Sequence, residues 1–299
     1  DHCFQRAHAC GKQALTMCMG FGCNAAGVTG CRIIDSPRER LIAILTNNFV
    51  PCNGRFPTLI AIISIFFVSS MSGVLQTTSA ALILLAVVVL GVLTTFLTSR
   101  VLSATVLKGI PSSFTLELPP YRRPQVGRVL VRSLLDRTIF VLGRAASVAA
   151  PAGLFLWLLA NLHVGQSTLL SICAGALDPI GHFFGMDGVI LLAFILGFPA
   201  NEIVVPIMLM GYLGMGQLTE MGSYASLQAL LLHNGWTWVT AVCVVLFSLM
   251  HWPCATTILT IRKESGSWEW TALAAALPTT CGLVLCALLA NGARLFGFV

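Results

Sequence analysis

Residues 79–99 form an uncharged stretch rich in Leu and Val. It is long enough to cross a lipid bilayer, which takes about 20 mainly apolar residues. Other apolar stretches follow the same pattern at 58–72, 148–162, 188–213, 237–261 and 271–289. Charged residues make up only 9% of the chain, against about 25% in soluble domains. Because such a chain cannot cover a water-facing surface, we predict an all-α, polytopic membrane protein.

The net charge of +6 is concentrated in one segment. Glu117 and Asp136 alone oppose the basic residues between positions 100 and 144, which are Arg100, Lys108, Arg122, Arg123, Arg128, Arg132, Arg137 and Arg144. Lys and Arg resist translocation, so this segment indicates a cytoplasmic loop. Nucleic-acid binding is a poorer explanation, since the segment sits among membrane spans. We predict a basic loop and interfacial amphipathic helix at 100–146, between a first repeat at 1–99 and a second at 147–299.

Eleven cysteines are present, but no two are spaced as C-x-x-C. Zinc-ribbon and thioredoxin-like motifs are therefore excluded. The odd number, with most cysteines in apolar stretches, argues against an extracellular disulfide framework.

Gly, Pro or Asn interrupts four apolar segments next to polar groups. We call these places the first break (residues 19–24), the second break (49–57), the third break (196–202) and the fourth break (251–257). A Gly-Phe break followed by a Pro-Cys break occurs once in each half, which indicates an internal repeat. Unpaired backbone groups cost several kcal/mol each in hydrocarbon, so broken helices persist where they line a cavity or bind something. The pattern predicts a transporter site near the midplane.

The side chains at the breaks favour a divalent transition metal. Sulfur, imidazole and carboxylate donors together suit such ions better than Mg²⁺ or Ca²⁺. The predicted metal ligands are Cys23, Cys52, Cys254 and Glu202, and the predicted pathway residues are Asn24, Asn201, Arg55 and His251. A single break is more often a proline kink or a packing glycine, but four in a repeated order favour a site.

Two connections are also predicted. Residues 73–76 should form a tight hairpin between two spans. Residues 167–186 should form an interfacial or re-entrant segment, because Asp178-Pro179 and Gly181-His182 interrupt it.

The motifs together resemble the FeoB family of bacterial ferrous-iron transporters. The resemblance covers about residues 11–297 and rests on Gly20-Phe21-Gly22-Cys23-Asn24, Asp35-Ser36-Pro37-Arg38-Glu39-Arg40-Leu41, Pro51-Cys52-Asn53-Gly54-Arg55-Phe56-Pro57, Glu117-Leu118-Pro119-Pro120-Tyr121-Arg122, Gly197-Phe198-Pro199-Ala200-Asn201-Glu202-Ile203 and Pro253-Cys254-Ala255-Thr256. It implies two inverted Gate repeats with discontinuous helices that carry Fe²⁺ across the bacterial inner or plasma membrane. It also implies that Cys23, Cys52 and Cys254 line the iron path and that Glu202 is the family's carboxylate. Asn201 stands where the family often has Lys.

Members of this family also carry an N-terminal cytoplasmic GTP-binding domain and further helices. A P-loop needs G-x-x-x-x-G-K-[ST], whereas the only Gly-Lys here, Gly11-Lys12, is followed by Gln13. We therefore expect this chain to be no enzyme and to hold no cofactor, with GTP and Mg²⁺ bound by a domain outside it. The partners implied are Fe²⁺ as transported substrate, the lipid bilayer, that domain with its helices, a small cytoplasmic accessory protein and a homo-oligomer, with no nucleic acid.

Two other functions are compatible with the sequence. A nucleoside-type transporter of the Gate fold would need aromatic stacking and amide hydrogen bonds rather than thiols. A membrane assembly protein that transports nothing would use the breaks for subunit packing. A membrane enzyme is the least favoured class, since neither H-E-x-x-H nor G-x-S-x-G is present.

Overall fold

The computed structural model describes residues 4, 10–69, 71–108, 125–132, 135, 139–165, 167–214 and 224–297. The regular secondary structure of this part of the chain is helical apart from β1 (His163–Val164) and β2 (Ser167–Thr168), which pair antiparallel. The α-helices are α1 (Lys12–Gly22), α2 (Asn24–Gly30), α3 (Pro37–Thr46), α4 (Phe56–Phe66), α5 (Gly73–Ala104), α6 (Val126–Arg132), α7 (Phe140–Asn161), α8 (Leu169–Phe183), α9 (Gly188–Leu196), α10 (Val204–Leu213), α11 (Tyr224–His233), α12 (Trp238–Met250), α13 (Ala255–Ser265) and α14 (Trp268–Leu295). Short 3-10 turns lie at Cys31–Ile33, Asn47–Phe49 and Asn201–Ile203.

Three segments of the described chain are long and apolar enough to cross a membrane: Gly73–Ala104, Trp238–Ser265 and Trp268–Leu295. A fourth span is possible by length if α8 and α9, which meet at 108°, are counted together. The prediction of an all-α, multi-pass membrane protein is therefore confirmed.

The span made of α12 and α13 lies in the middle of the molecule. Its most apolar stretch is 61% buried, against 17% for α5 and 22% for α14. Helix α12 contributes Phe247, Leu249 and Met250 to the main core, which also contains buried residues of α4 and α9. Lipid therefore faces α5 and α14, while the fourth break, at the end of α12, is surrounded by protein.

Basic side chains gather at the end of the molecule where α5 finishes. Arg38, at the start of α3, donates to the carbonyl of Leu107 at 2.6 Å. Arg32 makes a bidentate ion pair with Glu264 in α13, with N–O distances of 2.8 and 2.7 Å. These contacts put the ends of α2, α5 and α13 on one side of the molecule, next to the basic segment. Much of that segment, including residues 109–124, lies outside the described residues.

The structure corrects several predicted boundaries. Residues 73–76 are the first turn of α5, and the connection lies before Gly73 instead, because Gly73 turns the chain with a φ of 62° and helical residues follow at once. Helix α8 continues through Pro179 to Phe183, and the bend comes at 184–187. Helix α7 begins at Phe140 rather than at 148. The basic loop and interfacial amphipathic helix at 100–146 stay a prediction.

Candidate functional site

All four predicted breaks are non-helical in part. Cys23 separates α1 from α2 in an extended conformation, with φ −156° and ψ 122°. The second break runs from the 3-10 turn ending at Phe49 to the start of α4. The third separates α9 from the 3-10 turn Asn201–Ile203, and the fourth separates α12 from α13. The prediction of discontinuous helices is confirmed at each place.

The two breaks of each half are joined by a backbone hydrogen bond. In the first half, the N–H of Asn53 donates to the carbonyl of Gly22 at 3.4 Å. In the second half, the N–H of Ala255 donates to the carbonyl of Phe198 at 2.9 Å. In both cases the donor directly follows the cysteine of a Pro-Cys pair, and the acceptor lies in a Gly-Phe break. Backbone groups freed by one break are thus partly satisfied by the other.

Each half also contains a contact between two polar side chains, one at or beside each of its two breaks. The amides of Asn24 and Asn48 lie 3.0 Å apart in the first half. In the second half, Nε2 of His251 lies 3.3 Å from Oδ1 of Asn201. Asn24 and Asn201 occupy equivalent places after the Gly-Phe motif, and all four side chains are buried. Sequence reasoning missed Asn48, since an Asn shortly before the Pro-Cys pair has no recognisable counterpart in the other half.

Arg55 links the second break to the fourth. Its guanidinium is 1% exposed and donates to the carbonyl of Asn48 at 2.9 Å and to that of Leu249 at 2.7 Å. It also donates to the side-chain oxygen of Asn48 at 3.2 Å and to the carbonyls of His251 and Trp252 at 3.0 and 3.3 Å. Among the described residues it forms no ion pair. Arg55 therefore caps the end of α12 with a charge held by neutral oxygens.

The three predicted cysteine ligands lie at the breaks. Cys23 and Cys254 are the N-cap residues of α2 and α13, and neither helix start has a side-chain cap. Cys23 is exposed, Cys52 is buried and Cys254 is partly buried. The thiol of Cys254 lies 3.2 Å from the hydroxyl of Thr257.

Glu202 is exposed, and its backbone lies near the second break. A Cβ atom added to Gly54 would lie 3.9 Å from both Cβ of Asn201 and the backbone nitrogen of Glu202. The second and third breaks are therefore neighbours. Within the described ranges, no three His, Cys, Asp or Glu side chains are close enough together to hold a metal ion. The four metal ligands predicted from the sequence stay a prediction.

A cavity of about 250 Å³ lies away from the breaks, at the end of the molecule where α12 begins. Its lining includes His182, Asp187, Thr240 and Arg294, and none of the predicted site residues. Asp187 caps α9 and accepts a hydrogen bond from Tyr212 at 2.5 Å, so both of its oxygens are occupied.

Comparison with known proteins gives one family. The model for the C terminus of ferrous iron transport protein B matches residues 84–136. A protein named Fe(2+) transporter FeoB from Staphylococcus aureus strain COL is 32% identical over 287 residues, covering 92% of this chain and 40% of that protein. A protein of the same name from Methanocaldococcus jannaschii is 26% identical over 274 residues, covering 87% of this chain and 38% of its own length.

A third relative, from Porphyromonas gingivalis, is named Fe(2+) transport protein A/Fe(2+) transporter FeoB fusion protein. It is 22% identical over 316 residues, covering 90% of this chain and 36% of that protein. The chain thus spans about two fifths of the length of the curated relatives it matches. No solved structure shows a significant match.

Proposed function

We propose, for a chain that belongs to the FeoB family, that its four helix breaks form the path by which Fe²⁺ crosses the membrane. The observation that carries the proposal is that the four breaks contact one another. Hydrogen bonds join them in pairs, Arg55 joins the pairs, and three cysteines lie along them. Thiol and imidazole donors of this kind suit Fe²⁺ and give little advantage to Mg²⁺ or Ca²⁺.

The proposed path binds the ion without trapping it. Cys23, Cys52 and Cys254 would replace water molecules of Fe²⁺ with sulfur, and Glu202 would add a carboxylate. A closed tetrahedral cage of four protein ligands holds a metal permanently. Among the described residues, no three His, Cys, Asp or Glu side chains are grouped at one place, which fits an ion that passes from one ligand to the next.

We further propose that transport is linked to GTP through a domain outside this chain and that the protein works in the plasma membrane. The fusion relative from P. gingivalis, whose name joins an Fe(2+) transport protein A to FeoB, favours a small accessory protein as a partner. GTP and Mg²⁺ would be needed only on the separate domain.

The proposal is tested by the uptake of radioactive Fe²⁺ into iron-starved cells that express the full-length protein. Cys23→Ser, Cys52→Ser and Cys254→Ser should each lower uptake by on the order of tenfold or more, because each removes one sulfur donor. Cys281→Ser, in α14 and outside the four breaks, is the matched control and should leave uptake unchanged.

Normal uptake in all three variants, with normal amounts of protein in the membrane, would refute the metal path. Uptake that is indifferent to Fe²⁺ but blocked by nucleosides would instead support the nucleoside-type transporter.

A further inference from the structure

The imidazole of His251 is held in one orientation. Its Nδ1 lies 3.1 Å from the carbonyl oxygen of Phe247 and 3.0 Å from that of Ser248. Carbonyl oxygens only accept hydrogen bonds, so Nδ1 carries the hydrogen. The rings of Phe194 and Trp252 contact the imidazole at centroid distances of 5.1 and 6.0 Å. The ring cannot turn without breaking these contacts.

The other nitrogen, Nε2, therefore presents a lone pair to the third break. It faces Oδ1 of Asn201 at 3.3 Å, and that oxygen is also an acceptor. Two bonds of about 2.1 Å from one metal ion, opening at the tetrahedral angle, place their two donor atoms about 3.4 Å apart. The spacing of the two acceptors is thus that of two ligands of one ion.

The first half has no imidazole at the equivalent place. Its equivalent pair, Asn24 and Asn48, consists of two amides that hydrogen-bond each other at 3.0 Å. The charged group facing His251 is Arg55, which binds its carbonyl oxygen at 3.0 Å. A buried guanidinium bound to the backbone of the same residue opposes a second positive charge on the imidazole, and a neutral imidazole is the form that binds metals.

We propose that Nε2 of His251 and Oδ1 of Asn201 together form a binding position for the transported divalent cation. The imidazole gives the path its preference for transition metals over Mg²⁺ and Ca²⁺, because imidazole suits Fe²⁺ and the harder ions favour oxygen and water. Nδ1, bonded to two carbonyls, is the outer contact that fixes a metal-binding histidine. This inference rests on the proposed function, since it names one binding position along that same path.

X-ray absorption on the full-length protein, loaded anaerobically with Fe²⁺, tests the assignment directly. We expect the scattering signature of at least one imidazole in the wild-type protein. His251→Asn, which copies the amide of the first half, should remove that signature and weaken Fe²⁺ binding by on the order of 10–100-fold. His182→Asn, an exposed histidine elsewhere, is the control and should keep both.

Competition in the uptake assay gives a second, independent readout. Mg²⁺ in excess should leave wild-type Fe²⁺ uptake unchanged and should inhibit His251→Asn. If the wild-type protein transports and binds Fe²⁺ without any imidazole signature, the inference is overturned and the proposed function stands. If the wild-type protein neither binds nor transports Fe²⁺, the proposed function itself is overturned. The absence of an imidazole signature from the wild-type spectrum overturns the inference even if the variant fails to fold.

Discussion

Replacing Arg55 tests whether the connection between the second and fourth breaks stabilises the molecule. Arg55→Met removes five hydrogen bonds, to the backbone oxygens of Asn48, Leu249, His251 and Trp252 and to the side chain of Asn48. Each acceptor left unsatisfied in the interior costs about 1–3 kcal/mol. Methionine keeps much of the volume, so the effect reports the lost donors rather than a cavity.

The individual costs do not simply add. Removing Arg55 also removes the penalty of burying its charge, which offsets part of the loss. We therefore expect Arg55→Met to lower the free energy of unfolding by on the order of 3–5 kcal/mol. Lysine keeps the charge but has only three donors, so Arg55→Lys should lose about half as much.

The measurement is SDS-driven unfolding of the full-length protein in mixed micelles, followed by circular dichroism. Arg40→Met is the control, since Arg40 makes one hydrogen bond, to the carbonyl of Ile34 at 3.0 Å, and should cost about 1 kcal/mol or less. A stability of Arg55→Met within about 1 kcal/mol of wild type would refute the reasoning.

Three further predictions concern other parts of the molecule. Gly27→Ala should destabilise the protein by about 1–3 kcal/mol, because the new Cβ would lie 2.5 Å from Oδ1 of Asn47, whereas Gly22→Ala, with no atom within 4 Å, should not; the same SDS titration compares them. A double-mutant cycle of Arg32→Ala and Glu264→Ala should give a coupling of only about 0.2–1 kcal/mol, since the Arg32 side chain is 59% exposed; a coupling above about 2 kcal/mol would contradict this. The Lys12 ammonium, 2.5 Å away, lowers the pKa of the Asp35 carboxyl below its usual 3.8, so the pair stabilises the fold above that pH and loses its effect as the pH falls through the lowered pKa. Thermal unfolding should therefore show Asp35→Asn to be less stable than wild type at pH 6 and equal to it in strong acid.

The helix breaks could be predicted from the sequence because they depend on local chemistry. Pro51 and Pro253 lack the N–H that a helix needs, and Gly-Phe motifs mark the other two places. The exact limits of helices could not be predicted in the same way. Pro179 stays inside α8, and the bend follows at Gly185, whose φ is 73°. A proline within an apolar helix is tolerated when neighbouring helices stabilise the turn around it.

The partners of each break could not be predicted, because they are far apart in sequence. Arg55 was expected beside the path, but its five acceptors could be identified only once α12 was placed next to the second break. Asn48 gave no signal at all, since a buried Asn and an exposed one look alike in a sequence. The same holds for the orientation of His251, which depends on the carbonyls at the end of its own helix.

The contact between Arg55 and the end of α12 has a consequence for biosynthesis. Arg55 is separated from its acceptors at Leu249 and His251 by 194 and 196 positions in the chain. An arginine near the bilayer centre without acceptors is costly, by at least about 2.5 kcal/mol. Two acceptors, both from Asn48, belong to the same half as Arg55, and the other three come from residues 249–252. We therefore expect the second break to reach its final packing only after residues 249–252 have been synthesised and inserted.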